Sequence, residues 1–173
     1  IRQSNSGITG ALVNACQRAK GKYLARIDNG DCMSKSRLLL QYEYLEKFPD
    51  CVLLSSSTKF FDPNWEYLYT VNGIPESDSP SWAKPSDAPN GVNADISHHG
   101  SVMIRCSAYE AVGGYRKEFY FGQDWDLWYR LFEIGSYGVL SEACYLARHF
   151  PTSISLVNSA AQRTIARCSH GAY

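Results

Sequence analysis

The chain has 173 residues, of which 45% are hydrophobic and 20% are charged, a composition that excludes an intrinsically disordered protein. Seventeen basic residues balance seventeen acidic residues, so neither a nucleic acid nor an anionic membrane surface is expected as the main partner. The length suits one domain over residues 1–173, and no apolar run reaches the ~18 residues that a membrane span needs.

The cysteines show no metal-site spacing and no C-x-x-C pair; they stand at positions 16, 32, 51, 106, 144 and 168. Cys16, Cys51 and Cys144 lie in apolar segments, where a free cysteine behaves as a small hydrophobic residue. We therefore expect a reducing compartment without disulfides. The expected location is the cytoplasm, either free or peripheral at the inner face of the membrane.

The first 57 residues predict helices alternating with strands. Apolar residues at helical spacing predict a helix over residues 8–20, and "KYLARID" predicts a short strand over residues 22–28. A second helix is predicted over residues 36–48, and "CVLLSSS" predicts an interior strand. The helical spacing places Leu38, Tyr42, Leu45 and Phe48 on the buried face of the second helix. This order favours an α/β sheet.

Residues 62–100 differ in character from the segments on either side. The stretch "FDPNWEYLYTVNG" is compatible with a hairpin, and residues 75–89 are rich in Ser, Pro and Asp. We interpret residues 62–100 as a long loop or hairpin insertion, and loops of this length inside a domain are usually functional or mobile.

The last third returns to regular structure. A strand is predicted at "GSVMIR", and a short helix is predicted after it, with Ser107 and Glu110 as a capping box and with Gly113-Gly114 at its end. The stretch "QDWDLWYRLFEIG" predicts a helix ending at Gly135. Two strands, "YGVL" and "ACYLAR", and a last helix over residues 155–168 complete the prediction.

Two carboxylates, Asp28 and Asp31, follow the first predicted strand. Ligands of open α/β sheets bind beyond the carboxyl ends of strands, and carboxylate oxygens suit a divalent cation or a sugar hydroxyl. Gly30, which lies between them, permits a positive φ or the close approach of a bound group. The alternative is a D-x-G-D turn in which Asp31 favours a helix dipole, and the spacing leaves both interpretations open.

Asp124 stands near the start of the helix predicted at "QDWDLWYRLFEIG". It stands three and four residues before Leu127 and Trp128, so we expect it to point with the buried face. A carboxylate there, beside Trp125, would have a raised pKa and could act as a general base. The alternative is a helix cap, and the pattern alone does not decide between them.

Asp126, on the same helix, is expected to have a different role. It stands four residues before Arg130, a spacing that suits an exposed salt bridge worth ~0.3–0.5 kcal/mol. The prediction is therefore one inward carboxylate and one solvated carboxylate within the same helical turn.

Three histidines lie near strand ends, and such histidines are more often hydrogen-bonded structural residues than ligands. His98 and His99 precede a predicted strand, and His149 follows one. His149 is adjacent to Arg148 and is followed by several hydroxyl side chains. That combination could bind a phosphate or a metal.

Four stretches, in this order, resemble the family 2 glycosyltransferases of the GT-A fold. They are "NSGITGALVNACQRAKGKYLARIDNGD", "SKSRLLLQYEYLEKFPD", "HGSVMIRCSAYEAVGGYRKEFYFGQDWDLWYRLFEIG" and "ARHFPTSIS". Their family counterparts are the segment ending in R-x-D, the R-L-x-x-Q helix, the V-G-G-Y-R and acidic D-x-D-L-W-x-R-L segment, and the R-x-H tail. The resemblance spans almost the whole chain. It implies a GT-A-like, Rossmann-like mixed sheet flanked by helices.

The resemblance also implies a function: inverting transfer of a sugar from a nucleotide-sugar to a hydroxyl of a saccharide or lipid-linked acceptor, in bacterial polysaccharide biosynthesis. Asp124 would be the catalytic base. The implied contacts are Asp28, Gly30, Asp31 and Arg148 for the nucleotide-sugar, His99, Gln123 and Trp125 for the acceptor, and Asp31 and His149 for a divalent metal, Mn²⁺ or Mg²⁺.

Two positions depart from the family pattern. Gly30 stands where many members carry the central metal-binding aspartate of D-x-D-D, so Asp31 would have to take over that role. Gln123 occupies a position that is often a glutamate, directly before the expected base.

The resemblance further implies a strand–helix–strand unit that holds the nucleotide base, upstream of "NSG" and not contained in this sequence. A sheet without those strands would expose an edge. We therefore expect a longer chain, or a second copy in a homodimer, to cover that edge. Nucleotide affinity of this chain alone is expected to be poor.

Two alternatives to a transferase stay open on sequence grounds. The first is a non-catalytic, truncated transferase-like module serving assembly or ligand binding, which the missing nucleotide half and Gly30 favour. The second is a glycoside hydrolase using Asp31 and Asp124, which would need two carboxylates ~5–10 Å apart across a sugar cleft. The α/β pattern and the ordered motifs disfavour the hydrolase.

Overall fold

A computed structural model of the chain describes residues 2–72 and 98–150. These residues form one six-stranded mixed sheet flanked by helices. The elements in chain order are α1 (Gly7–Cys16), β1 (Tyr23–Ala25), β2 (Cys32–Met33), α2 (Arg37–Lys47), β3 (Cys51–Phe61), β4 (Tyr67–Val71), a 3₁₀ turn (His99–Ser101), β5 (Met103–Arg105), α3 (Cys106–Ala111), α4 (Gln123–Ile134) and β6 (Ser136–Arg148).

The strand order is β1-β5-β3-β6-β2, and β4 also pairs with β3. Strands β3 and β6 run parallel, whereas the other pairs are antiparallel. Within the described residues β1 has β5 as its one strand neighbour, and a groove of about 420 Å³ lies beside it, against α1. This edge, at β1, is the one that a longer chain or a second copy is expected to cover.

The core has two parts, one on each face of the sheet. Leu53 of β3 packs in a cluster with Val13 of α1 and Leu127 of α4, whereas Leu54 packs in a second cluster with Leu45 of α2. Successive side chains of a strand point to opposite faces. The helices α1, α3 and α4 therefore cover one face, and α2 covers the other.

The buried face of α2 differs from the prediction. Leu38 and Tyr42 are 44% and 47% exposed, whereas the fully buried positions of the helix are Arg37, Gln41 and Leu45. Arg37 donates to the Gln41 side chain and to the Val102 carbonyl, and Gln41 donates to two backbone carbonyls. Polar side chains are buried here because the structure satisfies their hydrogen bonds.

Two elements near the start of the chain, α1 and β1, are shorter than predicted. Helix α1 ends at Cys16, because the side chains of residues 17–20 are exposed and bury no apolar surface to extend it. Strand β1 covers three residues, although the Arg26 N–H continues its pairing by donating to the Val102 carbonyl.

In the second half of the fold, the described residues confirm β5, α3 and α4, and they correct two details. The stretches "YGVL" and "ACYLAR" form one strand, β6, because its parallel pairing with β3 continues through register shifts. The predicted capping box is wrong, since α3 begins at Cys106 and Ser107 lies inside it without capping. Gly113 and Gly114 end this segment with positive φ angles, as expected.

The hairpin of the 62–100 segment is confirmed in its first part, where β4 folds back on the end of β3. Residues 73–97 and the helix predicted over residues 155–168 lie outside the described residues. In the described ranges no helix has the length and apolar character to cross a bilayer. The five cysteines that the structure describes are free thiols.

Candidate active site

The segment between β1 and β2 forms a tight turn that carries Asp28 and Asp31. The Asp31 N–H donates to the Asp28 carbonyl at 3.2 Å, and Gly30 has a φ of +89°. A left-handed backbone of this kind costs a side-chain-bearing residue ~1–2 kcal/mol, which explains the glycine. The predicted turn is therefore confirmed, although Asp31 is followed by β2 and not by a helix start. The interpretation of the two carboxylates as a binding site stays a prediction.

Tyr145 of β6 contacts both ends of this turn. Its hydroxyl accepts from the Asp28 N–H at 2.9 Å and donates to Asp31 Oδ2 at 2.7 Å. The phenol ring is fully buried and stacks on the His98 ring, with 5.0 Å between centroids.

Arg148, at the end of β6, closes the other side of the turn. Its N–H donates to Asp31 Oδ1 at 2.9 Å, and its Nε donates to the Gly30 carbonyl at 2.9 Å. The guanidinium lies 4.8 Å from the ring centroids of both Trp65 and Phe150. The arginine predicted to bind the donor is thus held in place by backbone, carboxylate and aromatic contacts.

Asp28, Asp31 and His98 offer ligand atoms that all lie within 4.8 Å of one another. Carboxylate oxygens suit Mg²⁺ or Mn²⁺, which commonly take one or two protein carboxylates plus substrate phosphates. Burial lowers the pKa of His98, and the two aspartates oppose that effect. His98 Nδ1 accepts from the Gly100 N–H at 3.0 Å, so the neutral ring carries its proton on Nε2 and acts as a donor.

Arg26 connects this turn to a second carboxylate. Its Nε and Nη2 both lie 2.7 Å from Asp28 Oδ1, and its Nη1 contacts His99 Nδ1. The Arg26 side chain is mostly buried, which strengthens such charge-assisted hydrogen bonds.

His99 occupies the space between Arg26 and Asp124. Its Nδ1 lies 3.4 Å from Asp124 Oδ2, and its Nε2 lies 2.8 Å from the Tyr115 hydroxyl. The side chain is 9% exposed and its ring packs edge-on against Trp128. Burial and the Arg26 charge lower the pKa of His99. Both ring nitrogens have protein partners, so this histidine supports Asp124 and presents little surface to an acceptor.

Asp124 lies in the first turn of α4, which follows Gly122 with its φ of +69°. Its side chain is 24% exposed, and Oδ1 accepts from the Trp125 N–H at 3.0 Å. The predicted raised pKa is wrong. Burial raises the pKa of Asp124, but hydrogen bonding to His99 and to the backbone outweighs burial, and the pKa lies below its usual value.

Asp126 is not the solvated residue that its spacing predicted. The residue is fully buried, its Oδ2 accepts from Arg130 Nη2 at 2.5 Å, and its Oδ1 accepts from Arg116 Nη1 at 3.3 Å. Arg130 also donates to the Val112 carbonyl at 2.6 Å, which joins α4 to the end of α3. The i,i+4 pair forms as predicted but faces the interior.

The remaining predicted residues are more dispersed. Gln123 is 7% exposed, and Trp125 packs against Trp128 with 5.2 Å between ring centroids. His149 is outside the group formed by the two turn carboxylates and His98; its ring packs on Phe60, and its Nδ1 lies 3.3 Å from the Tyr69 hydroxyl. Their roles as acceptor and metal ligands stay predictions.

Sequence reasoning missed Arg26, His98 and Tyr145. Arg26 stands two residues before Asp28 at the end of the same strand. In an extended strand, residues two apart point to the same face, so this spacing could have indicated their pairing. His98 and Tyr145 reach the turn from other elements, and nothing local to them indicates it.

The sequence model described as "Glycosyl transferase family 2" matches residues 1–113. The chain belongs to this family. The match ends before α4, so it includes the turn with Asp28 and Asp31 but not Asp124.

Curated relatives of this family 2 domain are bacterial. The chain is 32% identical over 149 residues to the Bacillus subtilis (strain 168) protein named "Putative glycosyltransferase EpsE", covering 84% of this chain and 50% of EpsE. It is 27% identical over 150 residues to the chondroitin synthase of Pasteurella multocida (strain Pm70), covering 84% of this chain and 14% of the synthase. The chain thus spans half the length of EpsE.

Solved structures agree on the fold. The crystal structure of S. aureus TarS 1-349 matches with a TM-score of 0.65 and 14% identity, over 97% of this chain and 46% of TarS 1-349. The same TarS fragment in complex with UDP-GlcNAc matches with a TM-score of 0.60 and 14% identity, over 88% of this chain and 42% of that one. The family 2 domain therefore has the mixed α/β sheet of the GT-A fold.

The departure at Gly30 has a physical cause within this family 2 domain. A Cβ at position 30 would lie 3.3 Å from Arg148 Nη2 and 3.7 Å from the Phe150 ring, in addition to the strain of a positive φ. A central aspartate of D-x-D-D would therefore need both a positive φ and a small shift of the Arg148 guanidinium. The turn is therefore built around its two outer carboxylates.

Proposed function

We propose that this domain is the catalytic part of an inverting glycosyltransferase, which moves a sugar from a nucleotide-sugar to an acceptor hydroxyl. One observation carries the proposal. The carboxylate turn and Asp124 belong to one connected network, because Arg26 bonds to Asp28, contacts His99, and His99 lies 3.4 Å from Asp124. A donor site and a base for the acceptor need this proximity.

The donor side would consist of the turn and Arg148. The guanidinium of Arg148 is a suitable partner for a phosphate oxygen, since its Nε is held by the Gly30 carbonyl and the backbone of Arg148 is held by Asp31. Asp28 and Asp31 would hold a divalent cation, Mn²⁺ or Mg²⁺. When bound, the cation would offset negative charge on the departing nucleoside diphosphate.

The acceptor side depends on Asp124. Its carboxylate would take the proton of the acceptor hydroxyl as that oxygen attacks the anomeric carbon from the face opposite the diphosphate. The bond from the anomeric carbon to the diphosphate oxygen breaks with its electron pair on the diphosphate. Configuration at the anomeric carbon is then inverted, and the transition state is oxocarbenium-like by analogy with glycoside hydrolysis.

The donor class proposed is a nucleoside diphosphate sugar, which the likeness to TarS in complex with UDP-GlcNAc supports. The acceptor class proposed is a saccharide or lipid-linked saccharide. The protein that carries this domain would act in the cytoplasm or at the inner face of the membrane. A longer chain or a homodimer would cover the groove beside β1.

The decisive experiment is Asp124→Asn in the intact protein, with sugar transfer and nucleotide binding measured separately. Loss of a general base costs about 10²–10⁴-fold in turnover, whereas nucleoside diphosphate binding should be unchanged, because Asp124 is outside the carboxylate turn. Glu133→Gln is the matched control: it neutralises an exposed acid on the same helix.

Wild-type turnover in Asp124→Asn would exclude Asp124 as the base. If the intact protein bound no nucleoside diphosphate with Mn²⁺ and transferred no sugar, the non-catalytic module would be the better interpretation.

A further inference from the structure

Tyr145 is the side chain on which the carboxylate turn is built. Its hydroxyl uses both of its hydrogen-bonding capacities on the turn, accepting from the Asp28 N–H at 2.9 Å and donating to Asp31 Oδ2 at 2.7 Å. The Tyr145 hydroxyl oxygen therefore connects the backbone of Asp28 to the side chain of Asp31. Tyr145 is far from the turn in sequence, 117 positions from Asp28.

The tyrosine ring itself is held rigidly. It stacks on His98 at 22° between ring planes, and the Arg37 guanidinium lies 5.2 Å from its centroid. Arg37 is fully buried and has no acidic side chain among the partners described for it; it donates to Gln41 Oε1 at 3.0 Å and to the Val102 carbonyl at 3.2 Å. A buried cation against an aromatic face is a stable arrangement because the ring quadrupole attracts it.

Gly100 leaves room for this hydroxyl. A Cβ at Gly100 would clash with the Tyr145 hydroxyl and with the ring carbon that bears it, so something would have to shift. The 3₁₀ turn that contains Gly100 also carries His99, which supports Asp124. The position of Tyr145 thus depends on a glycine in the segment that joins the two carboxylate sites.

We propose that Tyr145 is a positioning residue that ties the Asp31 carboxylate to the backbone of Asp28 and so sets the shape of the carboxylate turn for the donor and its cation. The expected effect on donor binding rests on the proposed function. The effect of Tyr145 on the geometry of the turn can be tested independently of that function. Partners that orient metal-binding carboxylates typically affect metal affinity or activity by 10–100-fold.

Burial raises the pKa of Tyr145 above its usual value. This direction agrees with the geometry, in which the hydroxyl donates its proton to Asp31 Oδ2.

The test is Tyr145→Phe in the intact protein, because phenylalanine keeps the ring stack and removes the hydroxyl. The binding of UDP with Mn²⁺, measured by calorimetry, should weaken about 10–100-fold, and the KM for the donor should rise by a similar factor. The value of kcat at saturating donor should change by less than about threefold, because Asp124 and its partners are untouched. A merely structural role would lower stability or the active fraction without raising KM.

Tyr23→Phe is the matched control, since it removes a tyrosine hydroxyl that also bonds to a carboxylate, that of Glu46, away from the turn. A second variant, Gly100→Ala, keeps the hydroxyl but displaces it, and should raise the donor KM in the same direction. This variant keeps the proposal open to test if Tyr145→Phe folds poorly.

A readout independent of transfer is the backbone amide NMR spectrum of residues 28–31. Tyr145→Phe should shift these amides and speed the hydrogen exchange of the Asp28 N–H, whereas Tyr23→Phe should not. Unchanged amides, or shifted amides with unchanged UDP and Mn²⁺ binding, would overturn the proposal. A wild-type protein that bound neither ligand would contradict the proposed function, and the amide shifts would still decide whether Tyr145 fixes the turn.

Discussion

Asp124 owes its charge state to two opposing influences. Burial favours the neutral acid, whereas His99 and the backbone N–H of Trp125 favour the carboxylate and prevail. A base of lowered pKa is weaker but is always ionised at neutral pH. In the role proposed for it, the side chain would be ionised whenever an acceptor hydroxyl reached it.

The pH dependence of transfer should reflect this balance. Because the pKa of Asp124 lies below its ordinary value of 3.8, kcat/KM should lose nothing to protonation of this base between pH 7 and pH 5. Activity attributable to the base would be lost only as pH falls through the lowered pKa. In His99→Gln, a supporting contact is gone while burial remains, so the acid limb of kcat/KM should move to higher pH. An acid limb that stayed in place would show that His99 does not set the charge state of Asp124.

Comparing replacements of Gly30 and Gly113 separates the cost of backbone strain from the cost of crowding a neighbouring side chain. Its φ is +89°, and a Cβ would meet Arg148 at 3.3 Å. Gly113 has a φ of +78° and nothing within 4 Å of a Cβ, so it reports strain alone.

We expect both Gly30→Ala and Gly113→Ala to cost ~1–2 kcal/mol in the free energy of unfolding through the positive φ. Gly30→Ala should in addition weaken UDP binding, because it displaces Arg148, whereas Gly113→Ala should leave binding unchanged. Chemical denaturation and calorimetry measure the two effects. Equal UDP affinity in the two variants would show that Arg148 does not need the space at position 30.

At the scale of elements, helix α4 contains a buried ion pair between Asp126 and Arg130, which lie four residues apart on the same helix. Arg130 Nη2 lies 2.5 Å from Asp126 Oδ2, and the same arginine donates to the Val112 carbonyl at the end of α3. Asp126 thus holds Arg130 where it connects the helix that carries Asp124 to α3. In the "DWD" stretch, Asp124 is the proposed site residue, and Asp126 forms the buried ion pair that stabilises the helix.

Breaking this pair should be costly. Asp126→Asn leaves the Arg130 charge buried beside a neutral amide, and such changes typically cost ~3–5 kcal/mol. Thermal or chemical unfolding would measure the loss. The control is Glu133→Gln, an exposed change on the same helix, which should alter the free energy of unfolding by no more than about 0.5 kcal/mol. A loss below about 1 kcal/mol in Asp126→Asn would mean that the pair does not anchor α4.

At the scale of the whole molecule, β3 is the central element. It pairs with β6 along its length, with β5 through Leu53 and Leu54, and with β4 through residues 58–61. Its first eight residues are buried. The strand therefore links both core clusters to the hairpin beside Arg148.

Hydrogen exchange should rank the elements by this connectivity. Amides of residues 52–58 should exchange most slowly, near the rate set by global unfolding, because opening them requires the sheet to separate. Strand β4, exposed and paired with β3 in the described part of the chain, should exchange faster. Mass-spectrometric exchange on peptides from both strands tests this, and equal protection would contradict a central β3.

Much of the fold was predictable because its signals are local. Helical periodicity gave α4 its start at Gln123 and its end before Gly135, and an uninterrupted apolar run gave the interior strand β3. The side of α2 that is buried was not predictable in this way. Periodicity favoured Leu38 and Tyr42, but the hydrogen bonds that Gln41 makes to distant carbonyls turned another side inward.

Most of the elements, the positions of the two turn carboxylates in the chain and the likeness to family 2 glycosyltransferases could be inferred from local patterns, since each depends on residues near one another; the short strand β2 could not. The partners of those carboxylates depend instead on the three-dimensional packing. Asp28 meets Tyr145 across 117 positions, and His99 meets Arg26 across 73. Contacts at that separation are set by strand order and packing, which no local pattern records. They set the geometry of the turn and hold the ring of His99, the residue whose hydrogen bond lowers the pKa of Asp124.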